Sequence, residues 1–594
     1  MKLKTTKSTF LHLLFFYLTV TVSSLSAQVA PRAIQLNQSG FYLNAPKLAV
    51  LTTPSTAEAF YIVTSNLKDT VYRGVLSAAI PSKNSSVTTH IADFSVFNKA
   101  GNYVVAVPGT GNSFSFKISD NINRAVGIAV LKGYYFQRVS MALAPAFAGK
   151  WKRPAGHPDT IVLIHSSAAS PQRPAGTVIS TPGGWYDAGD YNKYIVNSGI
   201  TMGTMLSAYE DFPTYFGELK TNIPESNNGV PDILDELVYN LRWMITMQDP
   251  FDGGVYNKCT NAAFDGMVMP GVTKAPRYVV QKGTAATLDF AAVLAQSCRV
   301  LKGFNQQLPG LADSCLAAAL QAWQWAQKNP AVRYDQNANN KLYQPPVTTG
   351  GYGDGNFSDE FFWAASELYA TTKDRQYLPE VQRGLETQVR LPAWANVNLL
   401  GFYTLFRTKN TLPAEIYPAI EAAKKRLTAF ADELISGIAA SAFKTVMGRT
   451  KNDFGWGSNS NAANQGVALI NAYLLTSDKK YIDAALTNLD YLLGRNATGF
   501  CFVTGMGSRP PMHPHHRQSV ADGVVEPVPG LLAGGPNPGK QDGCEYEFSE
   551  PETTYADKDC SFASNEIAIN WNAPLVYLAN AIEALQYKVG YTVK

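Results

Sequence analysis

The sequence predicts a mainly α chain in two unequal parts, a small all-β sandwich followed by one large all-α domain. Three observations carry this. Between residues 31 and 118, short β-branched or aromatic runs alternate with Gly, Pro, Asn and Ser. After Asp120 the apolar residues switch to helical spacing. The 594 residues, 46% hydrophobic and 16% charged, are enough for a large core and for more than one domain.

The first thirty residues, "MKLKTTKSTFLHLLFFYLTVTVSSLSAQVA", join a basic head, an apolar run and small residues. This predicts a secretory leader over 1–27, cleaved near Ala27, and a secreted or periplasmic protein. The apolar run contains His12 and is short for a membrane span, and no second run is long enough. From 28 to 118, "KLAVLT", "AFYIVT", "TVYRGVLS", "VTTHIADF", "NYVVAVP" and "SFSFKI" are spaced for an immunoglobulin-like sandwich. From 121 to 594, segments such as "VPDILDELVYNLRWMITMQ", "TAATLDFAAVLAQSCRVL" and "NEIAINWNAPLVYLANAIEAL" predict ten or more helices in one domain. Long polar, Gly-rich and aromatic loops join them, and loops of that length are usually functional.

The formal charge is +4, of which Lys2, Lys4 and Lys7 in the leader supply three. A nearly neutral chain without a basic stretch excludes nucleic acid as the expected partner. Of the six cysteines, Cys298/Cys315 and Cys544/Cys560 flank short connections and are candidate disulfides. The absence of any Cys-x-x-Cys argues against a cysteine-rich zinc module.

Three loops carry chemistry. "GGWYDAGDYNKY" (183–194) sets Asp187 and Asp190 three apart on a glycine-rich turn among aromatics. Alone it reads equally well as a surface Asx-turn. "HPHHR" (513–517) is cationic, and "SFASNEIAINW" places Glu566 where a polar loop becomes a helix. A carboxylate there also suits a helix cap. Together they supply what acetal hydrolysis requires: an ionised carboxylate to activate water, a protonated one for the leaving oxygen, and groups to hold hydroxyls.

With "LKGYYFQRVSMAL", "NNGVPDILDELVYNLRWMITMQ", "SDEFFWAASELY", "DYLLGRNATGFCFVTGMG" and "GGPNPG" in order, the chain resembles glycoside hydrolase family 9, in the subgroup with an N-terminal immunoglobulin-like domain. The resemblance covers essentially the whole mature chain. It implies an (α/α)6 barrel and inverting hydrolysis of β-1,4-glucosidic bonds in cellulose-type or mixed-linkage glucans. It implies Asp190 as general base, Asp187 as a holder of the water, Glu566 as general acid, and His515 and Arg517 as contacts to sugar hydroxyls. The polar turn is expected to keep Asp187 and Asp190 ionised, and burial to raise the Glu566 pKa. Inversion requires base and acid roughly 6.5–9.5 Å apart.

Relatives with this architecture often bind structural zinc, but the corresponding positions here are Val139, Gly156, His157 and Tyr186. One imidazole makes no tetrahedral site, so no zinc is expected, with Tyr186 and Val139 filling the space. A structural calcium at Asp359, Glu360 and Asp354, with Asn356 adding oxygen, is implied by the family; favourable charge at a helix N-terminus is the alternative. No cofactor is required for the chemistry. Trp185, Trp394, Trp456, Trp571 and Tyr352 are candidate sugar platforms. A xyloglucan-, oligosaccharide- or exo-acting enzyme is the alternative within the chemistry, decided by loops at 350–356 and 510–560 expected to border the cleft. A non-catalytic glycan-binding protein is the alternative outside it. The chain is expected to be a monomer.

Overall fold

The computed structural model describes residues 29–593. The leader expected over 1–27 lies outside the described residues. Nine strands come first: β1 (Ile34–Gln35), β2 (Leu48–Leu51), β3 (Ala59–Thr64), β4 (Thr70–Val75), β5 (Ile80–Pro81), β6 (Thr88–Asp93), β7 (Gly101–Val107), β8 (Gly111–Asn112) and β9 (Phe116–Ile118). They form two sheets, β1-β2-β6-β5 and β4-β3-β7-β8, with β9 also on β7. Alternation places every second side chain inside: Phe60 and Ile62 of β3 are fully buried, whereas Tyr61 and Val63 are half-buried. Phe41 meets Phe94 and Phe116 edge to face at 5.3 and 5.4 Å between the sheets.

Twelve helices of eight or more residues follow. They are α1 (Arg124–Gln137), α2 (Ile195–Asp211), α3 (Asp232–Thr246), α4 (Thr284–Leu301), α5 (Leu311–Lys328), α6 (Ser358–Thr372), α7 (Leu378–Leu385), α8 (Asn398–Thr408), α9 (Tyr417–Ile435), α10 (Ser458–Thr476), α11 (Lys479–Leu492) and α12 (Ile569–Leu585). The even-numbered helices form an inner ring, in which α10 packs on α12, α12 on α2, α2 on α4, α4 on α6 and α6 on α8. The odd-numbered helices lie outside, with α1 against α12, α3 against α2, α5 against α4, α7 against α6, α9 against α8 and α10, and α11 against α10. This is the (α/α)6 barrel.

The two rings are written differently in sequence. In α4 every residue but Arg299 is buried, and alanines let its neighbours approach. In α9 the buried residues are Ile420, Ala423, Leu427, Ala431 and Leu434, one stripe at helical spacing with polar residues elsewhere. A helix apolar on all sides needs neighbours on all sides; a striped one needs a single partner.

A small sheet was not anticipated: β10 (Val162–Ile164), β11 (Val178–Ile179), β12 (Lys193–Tyr194), β13 (Lys258–Asn261) and β14 (Arg277–Val279), in the order β11-β10-β14-β13-β12. Its strands have two to four residues, too short for an alternation to be read.

The sandwich is bonded to the barrel by buried groups. Asn37 Nδ2 donates to Asp490 Oδ1 at 2.8 Å, and Tyr42 OH to Glu583 Oε2 at 2.5 Å. Gln38 Oε1 accepts from the backbone N–H groups of Ser508 and Arg509, both at 2.9 Å. Cys544 and Cys560 form a disulfide, as expected. Cys298 and Cys315 do not; they remain buried thiols on the packed helices α4 and α5. Among the described residues no helix is long and apolar enough to cross a membrane.

Candidate active site

A cleft of about 590 Å3 opens where the inner helices begin. Its lining takes Tyr194 and Ile200 from the start of α2, Tyr352 from before α6, Trp394 from before α8, Trp456 from before α10, and Asn570 and Trp571 from α12. Asp187, Asp190 and Glu566 all lie in this lining. The barrel thus brings together carboxylates that are far apart along the chain.

The 183–194 stretch is not a surface turn. Trp185, Tyr186, Tyr191 and Tyr194 are all buried, and Asp187 and Asp190 are 1% and 5% exposed. Trp185 therefore belongs to the core, its ring 4.7 Å from that of Tyr134, and is no sugar platform. Gly189 is required by a close approach: a Cβ there would stand 2.1 Å from the His515 carbonyl oxygen. Burial is tolerated because the turn's backbone is bridged, Trp185 to Arg138 and Ala188 to Ala568.

Each turn carboxylate has donors. Asn197 Nδ2 donates to both oxygens of Asp187, at 2.9 and 3.1 Å, and Tyr352 OH to its Oδ2 at 2.9 Å. Asn192 Nδ2 and Tyr194 OH donate to Asp190 Oδ2 at 2.6 and 3.0 Å. Both of these bonds reach Oδ2, which leaves Oδ1 for a water. Burial, reinforced by the adjacent Asp190 carboxylate, pushes Asp187 up to about 8, against the pull of its Asn197 and Tyr352 donors. For Asp187 the expectation that the turn's donors keep the carboxyl ionised is corrected accordingly: burial outweighs the donors.

Glu566 is half-buried and lies before α12, in extended backbone (φ −68°, ψ 154°). Bridges from His515 to Glu566, Ala533 to Ile567 and Ala188 to Ala568 hold this strip. Burial first, then the charges of Asp190 and Asp187, raise the Glu566 carboxyl well above the usual range; the Arg517 charge pulls it back.

His515 and Arg517 lie beside the cleft but outside its lining. Arg517 is buried, its Nη1 donating to the Gly189 carbonyl at 2.8 Å and its Nε to the Asp265 carbonyl at 2.9 Å. It braces the acid turn. The His515 ring is held through Nδ1 against the Asp559 carbonyl at 2.6 Å and lies 5.6 Å from the Phe562 ring. Trp456 is 48% exposed in the cleft, and Tyr352 and Trp394 meet edge to face at 5.5 Å on its wall. The 350–352 segment lines the cleft; from 510–560, His515 stands beside it, bridged to Glu566. Farther along, the same loop is held against the sandwich, where Glu550 accepts from Ser86 N at 2.8 Å.

Sequence reasoning missed Asn197, Asn192 and Phe264. Asn197 is legible afterwards as a polar residue in the first turn of an inner helix that is otherwise apolar and small. Phe264 lines the cleft, 48% exposed, with the Arg517 guanidinium 5.5 Å from its ring centroid.

At the zinc-equivalent positions, Val139, Tyr186 and Tyr191 pack together, and His157 Nδ1 pairs with Tyr186 OH at 2.9 Å. Burial lowers the His157 pKa to about 3, so the ring is neutral. Asp354, Asp359 and Glu360 gather beside Asp289 of α4, which the sequence did not suggest. Burial, then their mutual charge, raises Asp289 and Glu360 well above the usual range. Both oxygens of Asp289 and Glu360, and Asp354 Oδ2, are buried without hydrogen-bond partners. That all-oxygen set suits a hard cation chemically. Among the described residues, however, no group of three or more His, Cys, Asp and Glu side chains is arranged to hold a metal.

An (α/α)6 barrel with three acids in the lining of an aromatic-walled cleft has the constitution of a glycoside hydrolase. The family model for glycosyl hydrolase family 9 matches residues 127–579, and that for the cellulase N-terminal ig-like domain matches 29–112. The chain belongs to glycosyl hydrolase family 9. It is 46% identical over 562 residues to a xyloglucan-specific endo-beta-1,4-glucanase of Bacteroides ovatus, covering 94% of this chain and 95% of that one. It is 33% identical over 550 residues to endoglucanase D of Acetivibrio thermocellus, covering 92% and 82%. A solved Bacteroides ovatus GH9 structure superposes with a TM-score of 0.89 at 46% identity, covering 93% of this chain and 99% of that chain.

Proposed function

We propose that the protein is an exported, inverting endo-β-1,4-glucanase acting on cellulose-type, mixed-linkage and xyloglucan-type glucans. Its parts are a leader over 1–27, an immunoglobulin-like module over 28–118 and a catalytic domain over 121–594. The observation that carries the reading is that Asp187, Asp190 and Glu566 share one cleft. Asp190 takes a proton from water through Oδ1, Asp187 helps to hold that water, and Glu566 protonates the leaving oxygen. The raised Glu566 pKa favours the protonated form that a proton donor needs. Trp456, Trp394, Tyr352 and Phe264 offer ring faces to pyranose C–H groups, while His515 and Arg517 stand behind them. Calcium at Asp354, Asp359 and Glu360 has a structural role in this reading, supported by the unpartnered oxygens of Asp354 and Glu360.

Xyloglucan is the preferred substrate within this class, a reading favoured by the Bacteroides ovatus relative's specificity. The test is reducing-sugar release from xyloglucan, barley β-glucan and carboxymethylcellulose by the wild type and by Glu566→Gln, with the anomer of the first product followed by NMR. Release by the wild type alone, as the inverted anomer and fastest on xyloglucan, is expected. Equal release by both proteins overturns the catalytic assignment, and a retained anomer overturns the mechanism.

A further inference from the structure

Lys258 is a cation where burial should forbid one. It lies on β13, opposite Tyr194 of β12, and is 0% exposed. Its ammonium donates to Gln336 Oε1 at 2.7 Å, Thr349 Oγ1 at 2.9 Å and the Gly350 carbonyl at 2.7 Å. Three acceptors use all three N–H bonds of the protonated form; a neutral amine has only two. None of the three acceptors is a carboxylate, so the charge is buried without a direct ion pair, an arrangement that costs stability unless it serves something else.

What surrounds it gives the purpose. Tyr194 OH, next to Lys258 across the strand pair, donates to Asp190 and accepts from Gly350 N at 3.1 Å. Thr349 Oγ1 is 2.7 Å from Thr260 Oγ1, which donates to Asn192 Oδ1 at 3.0 Å. Asn192 in turn donates to Asp190. Tyr352, two residues beyond Gly350, donates to Asp187. The segment gripped by Lys258 therefore presents Tyr352 to Asp187 and, through Gly350 N, fixes the Tyr194 hydroxyl that donates to Asp190. The titratable groups facing the ammonium are Asp190 from the turn, Tyr194 from β12 and Tyr334 from the loop before Gln336; the two rings lie 5.5 and 5.6 Å from Nζ.

We propose that Lys258 is a positioning residue for the hydrolysis: it clamps the 349–350 backbone so that Tyr352 and Tyr194 hold the acid pair, and its charge favours the pair's anionic form. This rests on the assignment of Asp190 and Glu566 above. Burial lowers Lys258 to about 7, and Asp190 pulls it back up, so the clamp is fully charged on the acidic side of neutrality and weakens above it.

The test compares wild type, Lys258→Met and Glu566→Gln in kcat, KM and the pH profile of kcat/KM, with melting temperature recorded for each. Removing a positive charge near carboxylates raises the pH at which they ionise. Lys258→Met should lower kcat by about tenfold or more with KM within about threefold, and move the acid limb upward by about half a pH unit or more. If Lys258→Met does not fold, the double variant Gln336→Leu/Thr349→Val removes two of the three acceptors, which loosens the clamp and further disfavours the buried charge. It should lower kcat at least threefold and move the limb in the same direction. A folded variant with wild-type kcat overturns the proposal, as does a Lys258→Met protein that loses kcat without any shift of the limb. If Glu566→Gln retains full activity, the underlying catalytic assignment fails instead, so the two failures are distinguishable.

Discussion

Two groups of buried acids, one in the cleft and one between α4 and α6, are treated in opposite ways. In the cleft, Asp187 and Asp190 receive five side-chain hydrogen bonds from Asn192, Tyr194, Asn197 and Tyr352. Between α4 and α6, Asp289 and Glu360 receive none on any carboxylate oxygen. The first group is supplied with donors and faces an open space. The second is left unfinished by protein atoms and calls for protons, a cation or buried water to complete it. Burial alone therefore does not mark a working acid; burial with donors and an open side does.

The sharpest way to break this contrast is at the cleft. Asp190→Asn and Glu566→Gln should each lower kcat by about 10²–10⁴-fold with little change in melting temperature. Because the raised Glu566 pKa is that of a proton donor, activity should fall as pH rises through it. Glu566→Gln should abolish that alkaline limb in a kcat/KM profile. Next, Tyr352→Phe deletes one charged hydrogen bond, worth about 1.5–3 kcal/mol, and should cost roughly tenfold or more in kcat on the same assays. A loss below twofold would place Tyr352 outside the chemistry.

The second group is tested by stability. Its carboxyl pKa values are raised by folding, so they favour the folded state at low pH and oppose it as pH rises from the unfolded value near 4 towards the folded one. Without calcium, the melting temperature should fall from pH 5 to pH 8. Millimolar calcium should restore several degrees at pH 8 and little at pH 5. A calcium-independent melting curve at both pH values refutes the calcium reading. The smallest effect is Asp289→Asn, which removes one repelling charge and should stabilise the calcium-free protein by about 1 kcal/mol at pH 8, measured by denaturant unfolding.

How far the sequence could be read follows the same division. The strands at 59–64 and 88–93 and the inner and outer helices were legible because burial on one face or on all faces leaves a period. The three acids were legible because their motifs occur in a known order. The burial of the aromatic run at 185–194 was not legible, because it comes from bridges to Arg138 and Ala568 and from β13, none of them near in sequence. Asp289 and Lys258 were invisible for a related reason. Each is one polar letter in an apolar or strand-like run, and only the assembled barrel shows what it faces.

The position of α12 has a consequence for partial unfolding. This helix closes the inner ring between α10 and α2, and the strip leading into it carries Glu566 alongside a turn nearly four hundred residues earlier in the chain, Ala188 bridging to Ala568. Loosening that one helix would open a seam in the ring and part the two halves of the site together, so the integrity of the barrel and the assembly of the site rest on the same closure.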